Sequence, residues 1–383
     1  NENKSEALKS AEKVNLEGIV SAEISYDRSM QWNQEQEITP FIHATKMIIL
    51  GAGASHDFSY DEKLKSEDRP PLTCSLFDDQ YDEILSQYPG ANVLASEILQ
   101  AGDVERFFQD QWYIIKNHYD PDLLNKIINT QYYLQHLFTT ISEKCKNNKR
   151  NNYSTLVSLV SKYHVAKHES VLITSFNYDT LLEQSLNSVL GYTYNDMKDY
   201  INPQRKIILF KPHGSWNWIR EFNYNPLSLH RTKNQLFSTQ IYDKKSTYAE
   251  LFSQVKQEIA IKTTPDLTNN DSTHPEFLPQ LLIPFTDKDD FVMPQTHRNS
   301  LSGNLSKIQE ILIIGWKGTE QVFKDLLKTH IGYRPVKITV ANKKDDTIEK
   351  VFSDVLPNAE WNFQNTFSEY MKFCSQSKDH FFS

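Results

Sequence analysis

The chain has 383 residues, 39% of them apolar and 12% aromatic, which is enough for one large core or two ordinary ones. A net charge of −8 argues against a nucleic-acid groove as the main feature, and no apolar run reaches the length of a membrane span. Cys74, Cys145 and Cys374 are far apart and form no Cys-x-x-Cys pair, so they cannot make a four-thiolate zinc site, and they suit a reducing cytoplasm.

Residues 1–40 are mostly polar and read as an N-terminal arm or a solvated tail. The apolar run Met47-Ile48-Ile49-Leu50 then ends in Gly51-Ala52-Gly53-Ala54-Ser55. This pattern predicts a buried strand running into a tight turn. Glycine and alanine let a ligand approach the main chain, and backbone N–H groups in such a turn can hold an anion such as a pyrophosphate. A plain turn after a core strand is the alternative. The turn is neither a complete G-x-G-x-x-G nor a P-loop, because His56 follows Ser55 and no Gly-Lys-Ser/Thr is present.

Residues 56–75 are charged and then carry Pro70-Pro71, so they predict a long loop at the strand's C-terminal end, either a lid or a loop without a role. Apolar spacing over 78–165 predicts helices, with Asp103 as an N-cap and further helices over about 123–137 and 153–163. No Gly-rich linker separates this region, which reads as a helical insertion between strands.

Val171-Leu172-Ile173-Thr174 predicts a second strand, ending in Ser175-Phe176-Asn177-Tyr178-Asp179 before a helix. In an open α/β sheet, ligands bind at the carboxyl ends of the strands, which would put Asn177 and Asp179 on one ledge with the glycine turn. Either residue could instead only cap the next helix. A third strand, Ile207-Ile208-Leu209-Phe210, runs into Lys211-Pro212-His213-Gly214. An imidazole there can act as a general base near neutral pH, against a purely structural or exposed histidine.

Residues 219–280 are polar and irregular, with a loop expected over 263–275, and Leu281-Leu282-Ile283-Pro284 returns to the core. Ile311-Leu312-Ile313-Ile314 predicts a strand ending at Gly315, followed by a helix over about 320–329. A fifth strand over 336–342 ends in Asn342, and a helix-like run covers 367–373. Ordinary turn chemistry is the other reading of Gly315 and Asn342.

Gly-Ala-Gly-Ala-Ser, Phe-Asn-Tyr-Asp, His-Gly, and a glycine turn followed by Val-Ala-Asn stand in one order. In this the chain resembles the sirtuin superfamily, and looks closest to the bacterial SIR2-like domains that degrade NAD in anti-phage defence. The resemblance covers roughly residues 46–345. It implies an α/β fold with a Rossmann-like parallel sheet, from whose usual zinc-ribbon layout this chain departs by its helical insertion over about 78–165 and by having no zinc ribbon. An NAD-binding domain is then expected over 41–345, with a C-terminal extension over 346–383. The resemblance further implies that Gly51, Ala52, Gly53, Ala54 and Ser55 hold the NAD pyrophosphate. It sets Asn177 against the nicotinamide ribose, Asp179 near the nicotinamide end, His213 as the catalytic histidine, and Gly315 and Asn342 beside the adenosine half.

Residues 214–310 contain no cysteine, whereas protein-deacylating sirtuins usually carry four there. The resemblance therefore favours an NAD+ hydrolase that releases nicotinamide and ADP-ribose without a metal. An NAD-dependent deacylase, an ADP-ribosyltransferase or a non-catalytic NAD or ADP-ribose sensor in a larger assembly are the alternatives. A homo-oligomer, or a partner ATPase or Argonaute-like protein, is also implied. No membrane association or direct nucleic-acid binding is expected.

Overall fold

The computed structural model describes residues 44–59, 68–148, 151–223, 255–263, 277–283, 291–342, 347–376 and 381–382. The arm of 1–40, positions 60–67 of the expected lid and positions 264–275 of the expected loop lie outside the described residues.

The strands among the described residues are β1 (Ala44–Leu50), β2 (Ser170–Ser175), β3 (Ile207–Phe210), β4 (Gly214–Glu221), β5 (Ala260–Ile261), β6 (Phe277–Leu281), β7 (Glu310–Ile314), β8 (Val336–Ala341) and β9 (Ala359–Gln364). Six of them form one parallel sheet in the order β3-β2-β1-β7-β8-β9. The four apolar runs in β1, β2, β3 and β7 are buried, as expected of strands covered by helices on both faces. Counting only the strands of this sheet, the order is that of the Rossmann-like doubly wound fold, whose ligand crevice opens where the winding reverses. Here the reversal lies between β1 and β7.

Register decides which residues meet at that crevice. Leu50 pairs with Ser175 on one side and with Ile314 on the other, and Ile314 pairs with Ala341. The next residue of each strand therefore emerges in one row: Gly51, Phe176, Gly315 and Asn342.

The helical insertion consists mainly of Pro89–Ala101, Val104–Asn117, Pro121–Cys145 and Asn152–Tyr163. Its N-termini are chemically marked. Asp103 caps the second helix by accepting from Arg106 N at 3.0 Å, and Asp120 caps the third by accepting from Leu123 N at 2.9 Å, with Pro121 in first position. Asn151 and Ser154 cap the fourth reciprocally. The 25-residue third helix is not apolar enough to cross a membrane, nor is any other helix among the described residues.

Two elements depart from the sequence expectation. The residues after His213 form β4, the centre of a small antiparallel sheet in the order β5-β4-β6 that buries Trp218 completely. The stretch 346–383, expected as an extension, supplies the sixth strand of the main sheet, paired with β8 from Val336↔Ala359 to Ala341↔Gln364. This edge strand reads Ala-Glu-Trp-Asn-Phe-Gln and is only half-buried, so it lacks the continuous apolar run that marks an interior strand.

Beneath β4, His297 on the helix Gln295–Leu305 is 1% exposed between the rings of Trp218 and Tyr200. Its Nε2 donates to the Met197 carbonyl at 2.9 Å, and its Nδ1 has no partner among the described residues. Burial pushes its pKa down from 6.5 to about 4. The unfolded chain therefore takes up this proton first as the pH falls, so stability is full above the ordinary value and is lost towards the folded one. By linkage this single group should weaken the fold by about 2 kcal/mol between about pH 7 and about pH 5. Denaturant melts of the native chain and of His297→Gln should differ by that much in their pH dependence. Parallel pH profiles would rule this histidine out.

Candidate active site

The stretch expected as a tight turn is a short helix, Ala52–His56, entered directly from β1 at Gly51, and it is pressed against the Gly315 turn at the switch point. Gly51 N donates to Ile314 O and Gly53 N to Gly315 O, each at 3.0 Å. Gly315 adopts φ +60°, and a Cβ placed there would come within 2.0 Å of Ala54 N. A Cβ on Gly51 would come within 2.5 Å of Gly315 O. Neither position admits another residue without moving the backbone. Ala54 N donates to Gly51 O at 2.9 Å, so three N–H groups of the stretch expected to face an anion are already engaged. What Gly51 and Gly53 offer the cavity is the absence of a side chain.

Around this floor lies a cavity of about 520 Å³. Gly51, Ala52, Gly53, Ser55, Asn177, Asp179, His213, Gly315 and Asn342 all line it. Ala54, completely buried, does not. The other wall comes from the expected lid, where Pro70, Pro71, Leu72, Thr73 and Cys74 face the cavity, and from Leu76 just beyond it. His56 ties that loop down, donating from Nδ1 to Pro70 O at 3.0 Å, while Arg69 donates to His56 O at 3.1 Å. The helical insertion adds Glu105 and Phe138.

Ser55 and Asn177 form a buried cluster with Tyr153 of the insertion. Asn177 Nδ2 donates to Ser55 Oγ at 2.9 Å and to Tyr153 OH at 3.2 Å, and the two hydroxyls lie 2.8 Å apart. Burial pushes the Tyr153 phenol well above its ordinary value, so it stays a neutral hydroxyl. With Nδ2 engaged, what Asn177 offers a ligand is its Oδ1, an acceptor. Asp179 Oδ1 accepts from Leu181 N at 3.1 Å, which agrees with the capping alternative. Its Oδ2 is buried on the cavity wall without a partner among the described residues.

Behind this wall stands Lys211, fully buried. Its Nζ donates to Glu183 Oε1 at 2.9 Å, to the Asp179 carbonyl at 2.6 Å and to Ser215 Oγ at 2.8 Å. Glu183 also accepts from Tyr200 OH at 3.3 Å. The lysine thereby joins the β2 and β3 strand ends just before His213.

His213 is 4% exposed, with its ring packed at an angle against that of Phe176 at 4.8 Å. Phe176 stacks on Trp316 at 5.2 Å with only 4° between the planes. Trp316 Nε1 donates to Glu320 Oε2, and Glu320 Oε1 lies 3.9 Å from His213 Nε2. Asn342 Nδ2 donates to the Trp316 carbonyl at 3.0 Å, holding the Gly315 turn to the end of β8. Tyr153, Lys211, Trp316 and Glu320 were not singled out by sequence reasoning. Three of them carried a usable signal, since Trp316 directly follows a glycine turn, Lys211 stands two residues before the histidine, and Glu320 opens a helix five residues after Gly315. Tyr153 carried none, lying in an aromatic-rich helix where core packing is the default.

No protein-family model matches the chain, and no curated protein matches it. Chemically, the site combines an imidazole, an oriented amide, three carboxylates (Glu105, Asp179, Glu320) and one exposed cation, Lys317, around an aromatic floor. Such a cavity can hold a ligand with anionic and cationic parts, position a hydroxyl or water, and accept a proton from it.

Proposed function

We propose that the chain cleaves the N-glycosidic bond of NAD+ to give nicotinamide and ADP-ribose, serving anti-phage defence by depleting NAD. The observation that supports this most is convergence: of the residues the SIR2-like resemblance picks out at five separate strand ends, all but Ala54 line one cavity at the sheet's switch point. Its volume lies within the range of roughly 300–1,000 Å³ usual for small-molecule sites.

In this reading the pyridinium leaves as a neutral base, so the reaction needs no strong general acid. Positive charge builds on the ribose instead. The carboxylates of Asp179 and Glu320 line the same cavity and oppose that charge. Asn177 Oδ1 accepts from a ribose hydroxyl or the attacking water, and His213 takes the proton that the nucleophile gives up. No metal is part of this scheme. Self-assembly, or control by an ATPase or Argonaute-like partner, belongs to the same proposal and rests on the resemblance alone.

The test is incubation with NAD+ and no acyl peptide. A hydrolase releases nicotinamide unaided, a deacylase does so only when peptide is added, and a sensor binds without turnover. Binding has its own readout in Cys74, an exposed cavity residue, because Cys145 and Cys374 are buried. NAD+ is expected to slow alkylation of Cys74 several-fold. Unprotected Cys74 together with no nicotinamide released would overturn the proposal.

A further inference from the structure

Glu320 stands at the N-cap of the helix Gln321–His330, where its backbone carbonyl accepts from Lys324 N at 3.0 Å. A side chain at this position ordinarily turns back to accept from the first helical N–H groups. That of Glu320 makes no such cap bond. Instead it is directed into the cavity wall, with one oxygen on Trp316 Nε1 and the other 3.9 Å from His213 Nε2. Both side chains of this pair are largely buried, at 4% and 11% exposure. The indole anchors one end of the carboxylate and is itself held by stacking on Phe176, which packs at an angle against the histidine ring. The four side chains close a ring that leaves the carboxylate little freedom to turn away.

We propose that Glu320 is the positioning residue of His213, orienting the imidazole and stabilising its protonated form as it takes a proton from the water or ribose hydroxyl that attacks the sugar. This rests on the NAD+-cleavage reading for its place in catalysis, but the pairing itself is a property of the free protein. A carboxylate about 4 Å from an imidazole favours the imidazolium and makes the ring a stronger base. The separation exceeds a hydrogen bond, and such contacts commonly tighten only when ligand is bound. The other ionisable groups around the cavity are Cys74, Glu105, Asp179, Tyr178 and Lys317. Burial keeps Tyr178 neutral by pushing its pKa up. Lys211, on the chain just before His213, is engaged by Glu183.

The experiment follows the His213 ring by NMR through a pH titration of the free protein, its signal identified by its loss in His213→Asn. In Glu320→Gln the amide oxygen can still accept from Trp316, so the shape is kept and the charge is removed. The His213 midpoint is then expected to fall by about one pH unit, and Glu320→Asp, which keeps the charge, to recover most of it. The acid limb of the NAD+-cleavage rate should move by the same amount. An unchanged midpoint in Glu320→Gln, or an Asp variant that behaves like the Gln variant, overturns the pairing. A shifted midpoint in a protein that does not cleave NAD+ upholds the pairing and overturns the hydrolase reading instead.

Discussion

His213→Ala is expected to lower nicotinamide release from NAD+ by at least about 100-fold, the lower end of what a positioned general base contributes. Asn177→Ala should do the same by leaving the ribose or water unplaced. Neither change should unfold the protein. His213 borders an existing cavity, so removing its ring enlarges that space without opening a new void in the core. Removing the Asn177 amide leaves Ser55 Oγ and Tyr153 OH bonded to each other at 2.8 Å, so no buried polar group is orphaned. Nicotinamide release and a thermal melt of each variant decide the matter. Full turnover by folded forms of both would remove the catalytic assignment.

Lys211→Met should destabilise the protein by about 3–5 kcal/mol, the usual effect of removing one partner from a buried ion pair. Glu183 is then left at 8% side-chain exposure with Tyr200 as its remaining partner, and the Asp179 carbonyl and Ser215 lose a donor. Lys211→Met combined with Glu183→Leu removes both charges and should recover much of that loss, which a denaturant melt of the two single variants and the pair would show. A single variant within about 1 kcal/mol of the native chain would mean that the pair contributes no more than an exposed one does. Because Lys211 ties the Asp179 segment to the strand leading into His213, the single variant should also lose activity at temperatures where it is still folded.

Residues in different elements were legible to different degrees. The interior strands β1, β2, β3 and β7 could be read because burial on both faces demands an unbroken apolar run, and runs such as Val171-Leu172-Ile173 satisfy it. The caps at Asp103 and Asn151 form locally, within three residues; only the former was anticipated. Strand β4 was missed because Gly-Ser-Trp-Asn-Trp reads as an aromatic loop until its partners β5 and β6, from distant parts of the chain, are known. Strand β9 was missed because an edge strand carries its polar residues openly.

For the site, the amino-acid sequence by itself determined the candidate positions: small residues where a strand must turn, and an amide, a carboxylate and an imidazole just past other strand ends. Those features follow from backbone sterics and side-chain chemistry, which are local. Only the tertiary structure decided that these strand ends lie side by side, because strand order and register depend on pairings between residues hundreds of positions apart. It also decided what the candidates do to one another. The glycines of the two strand ends meet backbone to backbone, Ser55 is bonded to Asn177 and Tyr153, and Glu320 leaves its helix cap to face His213. Each of these contacts is set by packing, and no spacing along the chain encodes it.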